Sequence, residues 1–428
     1  MNKNKLAIFG GQKTIKKKFK KFNTYGKQEL LAANKVIKSG ILSEFLAKPG
    51  NKYYGGKYVK KFEKKFSNFF NVKHAISVNS WTSGLICAVG ALDPKPGDEI
   101  ITTPWTMSAT AVSILHWNCI PVFADIEKDT FCIDYKSVEE KISKRTIAIL
   151  SVDIGGQSAD IKKLKYIAKK YNLKIISDTA QAIGARIEGK FAGTQTDIGG
   201  FSFNYHKHIH TGEGGMLVTN NNKLAEKMRL LRNHAEGAIF DKNIKNYFNY
   251  RGYNFRLGEI ESAIGIEQLK KLKKIIKNRC LIVKKINNNF KKLKNLILPK
   301  VRKNCTHVYY VYKIKIKKNN LATKDQIYKA LIAEGVPNLS NQYGNIHLLP
   351  IFKKNLKQNK FPFPWSLNKN RINFYKKNYD YGSCPVAENL NKEEFIGFEI
   401  CQNELNSKDL NLFISAFKKV WKFYFDRN

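Results

Sequence analysis

Between residues 57 and 70, apolar side chains recur every three to four positions, with Val59, Phe62, Phe66 and Phe69 on one helical face. Beyond that helix the pattern alternates. Short apolar runs at 74–78, 99–103, 120–124, 147–152 and 173–177 read as strands. Helical spacing fills 82–91, 108–117 and 161–171 between them, and Asp160 stands where it caps the last of these helices. Strands separated by helices of this length predict an α/β fold with a mostly parallel sheet covered on both faces. Ligands of such sheets gather beyond the carboxyl ends of the strands, so residues just after each apolar run become candidates for chemistry.

Two further short strands, 199–203 and 215–219, bracket a loop of histidines, glycines and one lysine, and a long helical pattern covers 258–292. The texture then changes. Residues 309–316 alternate as a strand of a different sheet, and 324–334 and 408–425 read as amphipathic helices. This places a boundary near residue 290: a large domain at 28–289 and a smaller α+β domain at 290–428, joined by a basic arm at 1–27. A chain of 428 residues is long enough for two unequal cores.

Composition refines the picture in two ways. Lys and Arg total 76 against 34 Asp and Glu, a formal charge of +42, which by itself fits a nucleic-acid or anionic-membrane binder. The lysine runs are short and dispersed, however, and no zinc-finger, helix-turn-helix or RNA-binding pattern accompanies them. The charge therefore reads as a solvated lysine-rich surface, with no nucleic-acid partner expected. Seven cysteines lie far apart without a CxxC pair, which suits free thiols in a reducing, cytoplasmic setting. No apolar stretch follows the charged start and no apolar run reaches about 20 residues, so neither a signal peptide nor a membrane span is expected.

Three constellations could carry chemistry. Asp178-Thr-Ala-Gln181 follows the strand 173–177. A carboxylate losing water there needs a cationic or proton-bearing partner, for which a protonated pyridine nitrogen serves; alone, Asp178 also reads as the cap of a turn. Lys207 sits between His206 and His208 and runs into Thr211-Gly-Glu-Gly-Gly215. Imine formation requires it to be neutral part of the time, well below a free lysine's pKa of ~10.4, and burial beside positive charge supplies such a shift. His206, His208 and His210 alternate, but no carboxylate joins them before Glu213, so no metal is expected. Asn79-Ser-Trp-Thr-Ser83 lies at a strand-to-helix turn that favours a phosphate, or is an ordinary N-cap. Together the three supply phosphate donors, an acid partner for a ring nitrogen and an amine: the needs of pyridoxal 5'-phosphate.

The order of motifs resembles the DegT/DnrJ/EryC1/StrS family of sugar aminotransferases. Pro96-Gly-Asp-Glu99, Pro121-Val-Phe-Ala-Asp125, Asp178-Thr-Ala-Gln181, Ser202-Phe with Lys207, Gly212-Glu-Gly-Gly215, Gly252-Tyr-Asn-Phe-Arg256 and Cys384-Pro-Val-Ala-Glu388 carry the likeness. It implies the fold-type-I, aspartate-aminotransferase-like architecture. It also implies that Lys207 is catalytic and holds the cofactor as a Schiff base, that Asp178 pairs with the ring nitrogen and that Gln181 contacts the ring hydroxyl. Thr82, Ser83 and Ser202 would bind the phosphate, Met107 (or Trp105) would stack on the ring, and Asn254 would reach the phosphate of the partner in a homodimer. Two departures stand out: Ser80-Trp81-Thr82 replaces a frequent Ser-Gly-Thr, and Asp153 stands where His is expected.

The activity implied is transfer of an amino group from L-glutamate or glutamine to a nucleotide-linked keto-sugar. Rivals are amination of a cyclitol ketone and a sugar dehydratase of the same family, which usually has His in place of Lys207. From another class, the rival is a basic nucleic-acid or membrane-surface binder with a vestigial site. Residues 338–383 are expected to help shape the acceptor pocket; His347 within them reads by itself as a core histidine.

Overall fold

A computed structural model describes residues 5–239, 250–357 and 362–426. Helices α1 (Lys27–Ser39) and α2 (Lys57–Phe70) lead into β1 (His74–Val78). Alternation follows: α3 (Trp81–Gly90), β2 (Glu99–Thr102), α4 (Ala109–Leu115), β3 (Ile120–Phe123), α5 (Tyr135–Lys141), β4 (Thr146–Val152), α6 (Ile161–Lys170) and β5 (Lys174–Asp178). A hairpin of β6 (Arg186–Ile187) and β7 (Lys190–Phe191) precedes β8 (Ile198–Ser202), β9 (Gly215–Thr219), α7 (Asn222–Arg232) and the long α8 (Glu259–Phe290).

The main sheet has the order β1-β9-β8-β5-β4-β2-β3. β9 runs antiparallel to both neighbours, and the remaining ladders are parallel. Every residue of β2, β3, β8 and β9 is buried, because helices cover both faces. That is why these strands appear in the sequence as continuous apolar runs. The Asp160 carboxylate accepts from Lys163 N and caps α6 as expected. Helices α1, α5 and α7 form where the apolar pattern predicted nothing; α7 is started by Asn221, whose side chain accepts from Lys223 N and Leu224 N.

The second sheet, β10-β11-β13-β12, is antiparallel throughout. It comprises β10 (Leu296–Ile297), β11 (Tyr312–Ile316), β12 (Leu339–Ser340) and β13 (Phe395–Phe398), with α9 (Lys324–Ala333) and α13 (Ser407–Phe425) packed on it, whereas α10 (Pro350–Lys357), α11 (Ile372–Asn378) and α12 (Pro385–Asn389) lie against the main sheet. The strand expected at 309–316 begins only at Tyr312. Tyr309 has a left-handed φ of 51°, which interrupts the extended run.

Two large buried clusters organise the molecule. One lies on the main sheet and also takes in Ile346, Phe352, Trp365, Tyr375 and Tyr379 from the C-terminal half. The other joins β11, β13 and α13 to Phe290 and to Leu6, Ile15 and Phe19 near the N-terminus. Buried lysines on β11 cross between the sheets. Lys313 Nζ donates to the carbonyls of Thr130 (3.0 Å) and Ile154 (3.1 Å), and Lys315 Nζ donates to Lys128 O and Asp129 Oδ1, both at 2.9 Å.

Candidate active site

Asp178 ends β5 and Ser202 ends β8, two neighbouring parallel strands, so the sheet delivers both side chains to one edge. The turn after β1 adds Ser80, Trp81 and Thr82, and the segment before α4 adds Thr106 and Met107. These residues, with Gln181, Lys207, Tyr310 and Tyr343, wall a cavity of about 280 Å³. Topology therefore gathers groups that are up to 263 positions apart in the chain (343 less 80).

Lys207 is held by a turn in which its N–H donates to Asn204 O at 2.9 Å. Its amine is buried, donates to the Tyr310 hydroxyl at 3.2 Å and sits 4.4 Å from that ring's centre. Burial pushes its pKa down to about 8, against the opposing charges of Asp178, Cys401 and Glu399. His206 beside it is pushed down to about 4 by burial, then by Lys207 and His210.

Burial raises the acid of Asp178, while the Ala180 N–H, the Trp81 indole and the Thr110 hydroxyl pull it back down. Its Oδ1 accepts from Trp81 Nε1 at 2.7 Å and from Ala180 N at 3.1 Å; Oδ2 accepts from Thr110 Oγ1 at 3.0 Å. A carboxylate has about four acceptor positions, so Oδ2 retains the open one. Gln181 Oε1 accepts from Gly155 N at 2.7 Å and its Nε2 donates to Tyr343 OH at 2.7 Å, leaving one amide proton.

Thr82, in the first turn of α3, and Ser202, at the end of β8, both stand on the wall. Ser83 does not: its hydroxyl lies 2.9 Å from Ser80 Oγ, and its N–H is the donor that Ser80 caps. Met107 is on the wall and 66% exposed, whereas Trp105 is buried against Phe131, Tyr343 and Phe395, outside the lining. Asn254 is exposed and away from this cavity; its Oδ1 accepts from Arg256 Nε at 2.7 Å. Asp153, where the resemblance implies His, is fully buried and outside the lining. It accepts from Ala159 N (2.9 Å) and Thr179 Oγ1 (2.7 Å), and burial lifts it to about 6. His347 is likewise buried off the wall, 3.0 Å from Glu388 Oε1. Thr110, Tyr310 and Tyr343 escaped sequence reading, since nothing local marks them; Trp81 was visible only as a departure from glycine.

His208 Nε2 lies 2.7 Å from Val308 O, and among the described residues no group of three or more His, Cys, Asp or Glu converges on a metal position. Pyridoxal phosphate does fit the donor set. One depressed amine, one buried carboxylate with an open acceptor position and hydroxyls at a helix N-terminus converge on a single cavity.

Comparisons with known proteins agree with this chemistry. A family model described as the DegT/DnrJ/EryC1/StrS aminotransferase family matches residues 43–392. The spore coat polysaccharide biosynthesis protein SpsC of Bacillus subtilis is 32% identical over 376 residues, covering 86% of this chain and 92% of the relative. GDP-perosamine synthase of Caulobacter vibrioides is 36% identical over 296 residues, covering 69% and 78%. Among solved structures, the Helicobacter pylori aminotransferase PseC, involved in pseudoaminic acid biosynthesis, superposes with a TM-score of 0.78 at 28% identity, covering 95% of this chain and all of its own.

Proposed function

The chain belongs to the DegT/DnrJ/EryC1/StrS aminotransferase family, and from that premise we propose that it transfers an amino group from L-glutamate or glutamine to a nucleotide-linked keto-sugar. The observation that carries the reading is the buried Lys207 amine sharing one cavity with Asp178. Relatives named for GDP-perosamine and UDP-linked amino sugars support the acceptor class.

When bound, pyridoxal phosphate supplies an aldehyde that captures amines and a ring that takes up the electron pair left on the donor's α-carbon. Lys207 Nζ is the group that holds the cofactor and, in turn, removes the donor's α-proton and returns a proton to the acceptor. Its depressed pKa leaves the amine able to accept that proton near neutrality. Tyr310 OH accepts from Nζ and orients it. Asp178 supplies a fixed negative charge for the protonated ring nitrogen, and Gln181 offers its remaining amide proton to the ring hydroxyl. Thr82 and Ser202 take the phosphate, with Met107 against the ring.

The complete enzyme is a homodimer in this reading. Leu30, Leu31, Ile37, Ile41, Leu42 and Leu46 leave a run of exposed apolar side chains along and after α1. Asn254, exposed and outside its own cavity, is available to the second copy's phosphate. The seven free thiols suit a reducing cytoplasm, and no helix among the described residues is long and apolar enough to cross a membrane. Purified protein loaded with pyridoxal phosphate should lose its visible absorbance on adding L-glutamate and regain it with one of a panel of keto-sugars. Absorbance indifferent to amino donors would refute the assignment.

A further inference from the structure

Trp81 stands where the family often has glycine, and the fold is arranged around its indole. A methyl at Gly84 would come within 2.6 Å of Trp81 Cε3, and one at Gly200 would collide with Cη2 and Cζ3. A methyl at Gly215 would come within 2.9 Å of the Trp81 backbone. The ring is 6% exposed, so its N–H requires a partner, and it finds Asp178 Oδ1 at 2.7 Å. The second oxygen is set from the other side. Because the Thr110 hydroxyl proton is given to Oδ2, Thr106 Oγ1, 2.9 Å away, donates to Thr110 in a short relay.

We propose that Trp81 is a positioning residue for Asp178: its indole N–H, with the Ala180 amide, saturates Oδ1 and fixes the carboxylate, leaving a single acceptor position on Oδ2 for the protonated ring nitrogen of pyridoxal phosphate. The inference rests on the cofactor reading above. A glycine at position 81 could not make this bond, and an apolar ring of the same shape could not either. The departure from the family pattern thus places a charge-directing donor beneath the reactive site.

Two replacements separate the bond from the bulk. Trp81→Phe removes the N–H and part of the ring. Incorporating β-(3-benzothienyl)alanine at position 81 exchanges only N–H for sulfur in an indole-shaped side chain. Loss of a hydrogen bond to a buried charge predicts roughly tenfold weaker pyridoxal phosphate binding to the apoprotein in both. Without the donor, Asp178 takes up a proton at higher pH, so the acid limb of the cofactor-affinity profile should move upward. The glutamate half-reaction should slow chiefly in kcat, with KM little changed. A benzothienylalanine protein with wild-type affinity and an unmoved acid limb would reduce Trp81 to a space-filler and overturn the proposal, whatever Trp81→Phe does. A wild-type protein that takes up no cofactor would overturn the cofactor reading itself, and this inference with it.

Discussion

A lysine that must act as a nucleophile has to be rid of its proton at the working pH, and Lys207 is prepared for this by burial. With its pKa at about 8 rather than the usual 10.5, the rate at which apoprotein acquires visible absorbance from pyridoxal phosphate should climb up to pH ~8 and level off. A rise continuing toward pH ~10 would mean a solvated amine. The same shift bears on stability: between those two values the unfolded chain binds a proton that the folded one has released, so this group's contribution rises with pH through that window. Lys207→Ala should abolish both absorbance and amine transfer. Asp178→Asn keeps the shape but removes the charge, and amine transfer should fall by about 10²–10³-fold, read from single-turnover conversion with glutamate.

Elements stabilised by a repeating apolar pattern were legible in the chain, whereas elements defined by a partner were not. The spacing of Val59, Phe62, Phe66 and Phe69 predicted α2, whose Phe66 and Phe70 pack against Phe201 of β8. Phe66→Ala should cost about 3–5 kcal/mol, seen as an earlier urea midpoint. By contrast, β10 and β12 are two residues long and exist only through the strands they pair with. The 309–316 alternation extends three residues before the strand begins, because nothing in the sequence announces the left-handed Tyr309. The site divides the same way. Asp178, Gln181, Ser202 and Lys207 each end or follow a strand and are marked by position. Thr110, Tyr310 and Tyr343 reach the cavity through packing, and Ser83 pairs with the Ser80 cap outside the lining.

At the scale of the whole molecule, two surface properties invite separation. The charge of +42 is long-range and screened, so duplex DNA retained at low ionic strength should be released near 0.15 M salt, where the Debye length is about 8 Å; retention well above that would revive a nucleic-acid role. The apolar run after Leu30 is short-range. Leu30→Asp with Leu42→Asp should convert a dimer to monomers in sedimentation velocity, and cofactor affinity should drop alongside if Asn254 serves its neighbour. Between the two sheets, the fastening matters most. Lys313 and Lys315 grip carbonyls on the facing loops, and three residues before Lys313 the same backbone carries Tyr310, the partner of the reactive amine. A force that pried the halves apart would therefore pull the hydroxyl off the amine in the same stroke, so that an enzyme caught gaping is also an enzyme disarmed.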